Sequence, residues 1–318
     1  MDKSAKDIYK LIKRYDVITI YGHINPDCDS YGSTLGLREL IKDNFKNKQV
    51  YALGYGQDDL YNRLAKHDIV SDDIIKNSLA IVLDCSELSR VSDSRVSNAK
   101  QICKIDHHIE STPFDYPKWV DVSSIATCQM IAEFGFAYHL KFSKLTAELL
   151  YLGICTDSGR FRYHPTNAKT HQIVAKLYKY NIEPKTIFDI LYQSDERMVK
   201  YQARLISKFQ KTKNNVIYCF ADKEDYEQFG LTFDEVSKNV NVLGNIKGCP
   251  IWVLFTRDPN KNIRCEFRSA GLDIHQVATK YGGGGHKCAS GAKLVNCEWD
   301  LPMQIVEDLD KVVSGDFH

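Results

Sequence analysis

His23, Asp27 and Asp29 fall within seven residues, in Gly22-His23-Ile24-Asn25-Pro26-Asp27-Cys28-Asp29-Ser30. Further along, Asp84 closes the run Leu79-Ala80-Ile81-Val82-Leu83, Asp106-His107-His108 follows Gln101-Ile102-Cys103-Lys104-Ile105, and Asp157 stands in Thr156-Asp157-Ser158-Gly159. The imidazoles of His23 and His107, set among the carboxylates of Asp27, Asp29, Asp84 and Asp157, suit a borderline-hard divalent ion such as Mn²⁺ better than structural zinc. These six donors exceed what one ion needs once water and substrate also bind. Two cations sharing one aspartate would use the whole set, lower the pKa of a water between them, and hold both oxygens of a phosphoryl displacement. Without cations the carboxylates would repel one another. Taken alone, the first triplet fits a capped Asx-type turn as well as it fits a metal site.

A second group is Arg268-Ser269 together with Gly282-Gly283-Gly284-Gly285-His286. Successive glycines let backbone N–H groups approach a ligand with no Cβ in the way. Arg268 offers a planar fork that matches a phosphate. The pairing points to capture of a phosphate or nucleotide, although a glycine run alone also fits a flexible turn.

The elements that must position these groups are legible as patterns. Val17–Ile20, Gln49–Leu53, Leu79–Asp84 and Gln101–Ile105 are short apolar runs separated by helical stretches, the signature of a mostly parallel, doubly wound α/β sheet. Each ligand-bearing run then ends in a turn at the carboxyl edge of the sheet, where such folds bind ligands. Helices are expected over 4–14, 30–41, 126–140, 144–155, 166–180, 184–192 and 196–209. From Asn215 the texture changes to strands at 216–220, 251–255 and 263–268, followed by a helix at 273–281. The expected organisation is a metal-binding catalytic domain over 1–190, a linker helix over 191–212, and a smaller α/β substrate-binding domain over 213–318. The active site is expected in the cleft between the domains.

At 318 residues, two domains are the expectation. The ten cysteines include no Cys-x-x-Cys pair and read as reduced, buried side chains; Cys28, Cys85 and Cys155, each near one of the acidic residues, leave thiolate ligation as a minor alternative. A net charge of +1, with 17 Lys+Arg against 17 Asp+Glu from Asp195 onward, excludes a basic protein that coats long nucleic acid. No apolar run approaches the roughly 20 residues that span a bilayer, and the first residues lack an apolar signal core, so a cytoplasmic protein without membrane attachment is expected.

His23-x-x-x-Asp27-x-Asp29, the aspartate of Val82-Leu83-Asp84, Asp106-His107-His108 and Thr156-Asp157 resemble the four motifs of the DHH phosphoesterases. Arg268 and Gly283-Gly284-Gly285-His286 resemble the signature of the DHH-associated C-terminal domain. Within the family, the two-domain layout resembles the NrnA-type oligoribonucleases (nanoRNases). These also dephosphorylate 3′-phosphoadenosine 5′-phosphate (pAp), and close relatives cleave cyclic di-AMP or pApA. Family II pyrophosphatases share the first four motifs but lack the glycine–histidine signature, and RecJ-type exonucleases are larger.

The resemblance implies that one Mn²⁺ takes His23, Asp27 and Asp84 and the other takes Asp29, Asp84, His107 and Asp157, with Mg²⁺ or Co²⁺ as alternative metals. His108 would face the scissile phosphate, and Asp106 would orient its histidine neighbours. Arg268, Ser269, Gly283, Gly284, Gly285 and His286 would hold a substrate phosphate. The implied activity is Mn²⁺-dependent degradation of short RNA of about 2–5 nucleotides to 5′-mononucleotides, together with conversion of pAp to AMP. Cyclic-di-AMP or pApA hydrolysis is the alternative, and a homodimer is an open expectation. A non-catalytic nucleotide-binding regulator would be expected to have lost metal ligands, and every expected ligand is present here.

Overall fold

The computed structural model describes residues 2–54, 64–110 and 113–317, and the chain divides into two compact units, Met1–Gln193 and Ser194–His318. The first unit runs α1 (Lys3–Arg14), β1 (Val17–Tyr21), α2 (Cys28–Asn44), β2 (Gln49–Leu53), α3 (Asp72–Lys76), β3 (Leu79–Leu83), β4 (Gln101–Asp106), β5 (Lys118–Val120), α4 (Thr127–Ala137), α5 (Lys144–Asp157), α6 (Ala168–Leu177) and α7 (Pro184–Tyr192). Its five strands lie in the order β2-β1-β3-β4-β5, all parallel. Parallel strands are covered on both faces, which is why β3 is buried at every residue and reads as an unbroken apolar run. The short edge strand β5 carries too little pattern to be recognised in the sequence.

Strand order reverses between β1 and β3. One connection from β1 leads outward to β2, while the chain returns on the other side to build β3, β4 and β5. The crevice at such a switch point, beyond the carboxyl ends of the strands, is where open α/β sheets bind ligands. The turns after β1 and β3 carry His23, Asp27, Asp29 and Asp84, so these groups flank the switch point.

Helix α2 is buried from Cys28 through Leu37. Such a helix cannot present one apolar stripe to a core and one polar face to water, and its sequence accordingly mixes small and apolar residues all round. It lies close against α5. A Cβ on Gly32 would run into the Leu149 carbonyl, and one on Gly36 would come within 2.7 Å of Leu150 Cδ2. On the facing helix, a Cβ on Gly153 would meet Cys128 Sγ and lie 2.7 Å from Asp29 Oδ1. The absent side chains therefore set the depth at which α5 docks, and with it the position of Asp157 at the end of α5.

The second unit runs α8 (Glu196–Lys208), β6 (Gln210–Lys211), β7 (Val216–Ala221), α9 (Lys223–Glu227), α10 (Phe233–Val236), β8 (Ile251–Arg257), β9 (Ile263–Ser269), α11 (His275–Lys280), β10 (Gly284–His286), β11 (Ala289–Leu294) and α12 (Asp300–Ser314). Its sheet is mixed, ordered β10-β11-β9-β8-β7-β6, with only β7 and β8 parallel. One apolar cluster joins Val253, Phe255, Cys265 and Phe267 to Val277 of α11 and Ile305 and Leu309 of α12. Another joins Ile217, Cys219 and Leu254 to Tyr201 and Leu205 of α8. Helix α8, expected as a connecting segment, thus contributes core residues to this unit. Part of the glycine run, for which a flexible turn was the alternative reading, enters the sheet as β10, its backbone pairing with the small residues Ala289, Ser290 and Gly291 of β11.

The packing of α2 on α5 yields a stability test. Gly32→Ala should destabilise the protein by about 1–3 kcal/mol, read as a lower urea midpoint, because a backbone carbonyl cannot move aside. Gly284→Ala is the control: its Cβ meets nothing within 4 Å, and stability should change by less than about 0.5 kcal/mol.

Candidate metal centre

Asp27 N-caps α2, its Oδ1 accepting from the backbone N–H groups of Asp29 and Ser30 at 3.0 Å each. The capped turn and the ligand reading of the first triplet are therefore not alternatives. One carboxylate oxygen holds the helix terminus, and the group also lies 3.8 Å from His23 Nε2. His23 Nδ1 is 2.8 Å from the Ile24 carbonyl. When Nδ1 carries the proton and donates there, Nε2 presents its lone pair inward.

Asp29 is fully buried and is gripped by a helix terminus from elsewhere in the chain. Thr127 N donates to its Oδ2 at 2.7 Å and Cys128 N to its Oδ1 at 2.9 Å. These are first-turn amides of α4, whose unpaired N–H groups favour an anion. Thr127 Oγ1 lies 3.2 Å from Asp84 Oδ1, with Thr127 as donor. Sequence reasoning had no means of finding this partner, since Thr127 lies about a hundred positions from Asp29 and no local signal marks it.

Asp84 leaves β3 in the left-handed region, φ 54°, a conformation a non-glycine residue adopts at a cost of order 1 kcal/mol. The turn places its two oxygens against different imidazoles: Oδ2 is 3.6 Å from His23 Nε2, and Oδ1 is 3.4 Å from His107 Nε2. His107 Nε2 also lies 3.9 Å from Asp29 Oδ2 and 3.5 Å from Asp157 Oδ2, and it is buried with no hydrogen-bond partner among the described residues. Its other nitrogen faces the Ser124 carbonyl at 3.3 Å.

Three donor groups result among the described residues, His23–Asp27–Asp84, Asp29–His107–Asp157 and Asp84–His107–His108, each with ligand atoms within 4.8 Å of one another. All six expected donors thus come together, with Asp84 reaching toward both of the first two groups. No cysteine belongs to any such group among the described residues. Burial pushes the Cys85 thiol up to about 11, well away from the thiolate a metal would need.

The electrostatics describe a site short of positive charge. Burial, followed by the Asp84 charge, raises Asp29 to about 7. Burial and the nearby Asp29, Asp27 and Asp84 push Asp157 well above the carboxylate range. Burial alone would lower both histidines. For His23, the Asp27 hydrogen bond and the Ile24 carbonyl overcome it; for His107, Asp84 and Asp29 do. Each stands at about 9. Protons are thus favoured on both imidazoles and on the raised Asp29 and Asp157 carboxyls, and cation binding would release them.

His108 shares a donor group with Asp84 and His107, its Nδ1 lying 3.5 Å from Asp84 Oδ1, and it carries a further tether to Asp106. Asp106 Oδ1 accepts from His108 N at 3.1 Å and lies 2.9 Å from His108 Nδ1. Asp106 is fully buried, and Lys104, also fully buried and two residues earlier on the same face of β4, sits 3.6 Å from its Oδ2. Burial would raise Asp106, but the His108 bonds and Lys104 outweigh it and keep the carboxyl below its ordinary value. The sequence reading passed over Lys104, although a lysine inside an otherwise apolar strand, two residues before an aspartate, was a usable signal.

In the second unit, Arg268, Gly283 and Gly284 border one cavity. Ser269 is buried, and its Oγ donates to the Leu272 carbonyl at 2.5 Å, so the hydroxyl holds the following loop. Gly283 packs where a Cβ would strike the Gly291 carbonyl, and Gly285 has φ 134°. His286 closes β10 opposite Ala289.

Comparison with known proteins gives matches to both parts of the chain. Residues 17–154 match the model of the DHH family N-terminal domain, and residues 213–315 match the DHHA1 domain. The bifunctional oligoribonuclease and PAP phosphatase NrnA of Bacillus subtilis is 34% identical over 307 residues, covering 96% of this chain and 97% of that protein. The protein of the same name from Mycoplasma genitalium is 34% identical over 302 residues, with 92% and 93% coverage. In structure, an exopolyphosphatase-related protein from Bacteroides fragilis superposes with a TM-score of 0.89 at 22% identity, covering 99% of this chain and all of that one, which speaks for the fold alone. No helix among the described residues is long and apolar enough to cross a membrane.

The raised carboxyls make a prediction for protein stripped of metal by chelator. A carboxyl raised on folding stabilises below its unfolded value near about 4 and loses that contribution as pH climbs through its folded value, about 7 for Asp29. The melting temperature should therefore fall between pH 5 and pH 8. Asp157→Asn should flatten the fall, because it removes one of the mutually repelling charges. An equally steep fall in the variant would show that the repulsion lies elsewhere.

Proposed function

The chain belongs to the DHH phosphoesterase family, and on that premise we propose that it hydrolyses short oligoribonucleotides to 5′-mononucleotides and dephosphorylates pAp to AMP. The observation that carries the reading is Asp84, whose two carboxylate oxygens face the imidazoles of two separate donor groups. That is the arrangement a ligand shared between two cations requires. His23, Asp27 and Asp84 hold one divalent cation, and Asp29, Asp84, His107 and Asp157 hold the other, with Mn²⁺ as the metal. When bound, such a pair lowers the pKa of a water and neutralises charge building on a phosphoryl group.

The remaining work falls to the chain's own side chains. His108, with Nδ1 fixed by Asp106, keeps Nε2 for the oxygen leaving the phosphate, stabilising its charge or supplying a proton. Buried Lys104 holds Asp106 ionised and so keeps His108 in one orientation. Arg268 and the amides around Gly284 grip a second phosphate of the substrate. The balance of 17 basic against 17 acidic residues from Asp195 onward supplies little long-range attraction, so recognition depends on these few contacts and suits short chains.

The substrate panel that tests this reading is pAp, pApA, cyclic di-AMP and pyrophosphate side by side with Mn²⁺. Turnover should be fastest on pAp and pApA, and a chelator should abolish it. Fastest turnover of cyclic di-AMP would move the assignment to nucleotide signalling, and turnover of pyrophosphate alone would overturn it.

Asp84→Ala should lower kcat by at least about 1000-fold, since it removes a donor from both cation sites at once. Rates within tenfold of the unaltered enzyme would refute the shared-ligand assignment. On RNA, hydrolysis should fall steeply with length, and comparable rates on 2-mers and 30-mers would refute the proposed basis of length preference.

A further inference from the structure

On β9, Arg264, Glu266 and Arg268 alternate with Ile263, Cys265 and Phe267, and only the latter set belongs to the apolar cluster under α11 and α12. The polar set borders a cavity of about 650 Å³ lying within the second unit. Across the sheet, Glu266 stands opposite Gly291, and Gly291 stands opposite Gly284. Two of these three aligned positions have no side chain, so beside Glu266 the floor of the cavity is peptide backbone, flanked on β11 by Ala289 and Lys293. Phe233 supplies an aromatic surface to the same cavity.

Glu266 is only 7% exposed, and its Oε2 accepts no hydrogen bond from any described residue. Its Oε1 accepts from Arg264 Nε at 3.2 Å, and Arg268 Nη2 stands 3.8 Å from Oε2. The two guanidinium groups orient the carboxylate, yet leave acceptor capacity unused. A buried acceptor without a donor is unfavourable, and a ligand carrying N–H groups would relieve it.

A flat floor, an aromatic wall and a buried carboxylate beside a phosphate-binding arginine fit a nucleobase and its phosphate. Among the RNA bases, guanine alone presents two adjacent N–H donors, N1–H and N2–H₂, on one edge, matching the two oxygens of a carboxylate. Adenine offers only N6–H₂ as a donor on its corresponding edge, and uracil only N3–H. We propose that this cavity is the nucleobase subsite of the enzyme and that Glu266 sets its base preference, favouring guanine while admitting adenine through one hydrogen bond. The assignment rests on the reading of Arg268 as a phosphate ligand given above.

The test is kcat/KM for the four 5′-phosphorylated homodinucleotides with the full-length protein, its Glu266→Gln variant and its Phe233→Ala variant, in Mn²⁺. The unaltered enzyme should favour pGpG over pApA by about tenfold, the scale of one further hydrogen bond. A glutamine amide offers one acceptor and one donor, complementary to adenine N6–H₂ and N1, so Glu266→Gln should erase or invert that ratio. Phe233→Ala should raise KM for all four alike, because stacking is sequence-tolerant.

Equal rates of the unaltered enzyme on all four bases would overturn the proposal. So would a Glu266→Gln variant whose KM rises uniformly with the ratio unchanged, which would reduce Glu266 to a holder of the two arginines. If no dinucleotide is turned over at all, the phosphoesterase reading itself fails. Calorimetric binding of GMP and AMP to the same proteins then still decides the base preference, with equal affinities for both overturning it.

Discussion

Everything in the first unit follows from the need to keep Asp27, Asp29, Asp84 and Asp157 together at the edge of one sheet. Carboxylates at such separations repel, and burial of Asp29 and Asp84 strengthens that repulsion by removing water. The fold answers with fixed dipoles. The amino termini of α2 and α4 both converge on the group, one capped by Asp27 and the other binding both oxygens of Asp29. Asp157 has the opposite situation, standing at the carboxyl end of α5, where no backbone N–H among the described residues donates to it. Its raised pKa follows from burial and from the charges of Asp29, Asp27 and Asp84.

Rigidity has the same origin. A carboxylate cluster relaxes by moving apart unless its supports cannot move. Here Asp29 is wedged between the α4 terminus and Gly153 of α5, and Asp84 is held in a left-handed turn at the end of a fully buried strand. The close approach of α2 to α5 converts packing energy in the core into fixed spacing at the site. Metal binding to such a preformed array costs little reorganisation, and the energy of ligation is then available to offset the repulsion built in by folding.

Much of this was legible in the sequence, and the reason is local. A donor at the end of an apolar strand declares its own position, because parallel strands deliver their carboxyl ends to one edge; His23, Asp84 and His107 needed no more than that. Helices α1, α2, α4–α8 and α11 followed from periodicity in the same way, whereas the short α3, α9 and α10 and the terminal α12 were not anticipated. What stayed hidden depends on contacts between distant segments. Thr127 and Cys128 look like ordinary helix residues until α4 is docked on Asp29, and β5 is too short to carry a pattern. The conformation of the glycine run stayed open for a related reason. Four glycines carry no preference that separates a loop from a strand, and pairing with β11 decides the outcome.

The two units solve opposite problems with charge. The first concentrates like charges and needs cations to complete it. The second spreads opposite charges, and on β9 places one acid between two bases at intervals of two residues, so that each guanidinium is oriented by Glu266 rather than left mobile. A field strong enough to draw long polyanions would also bind them unproductively. A neutral surface with a few fixed donors leaves selection to contact geometry, where a misplaced hydrogen bond on a small substrate is felt in full. On the proposed function, that division would assign reactivity to one unit and discrimination to the other, and the glycines beside Arg268 would then matter for what they omit as much as for how they bend.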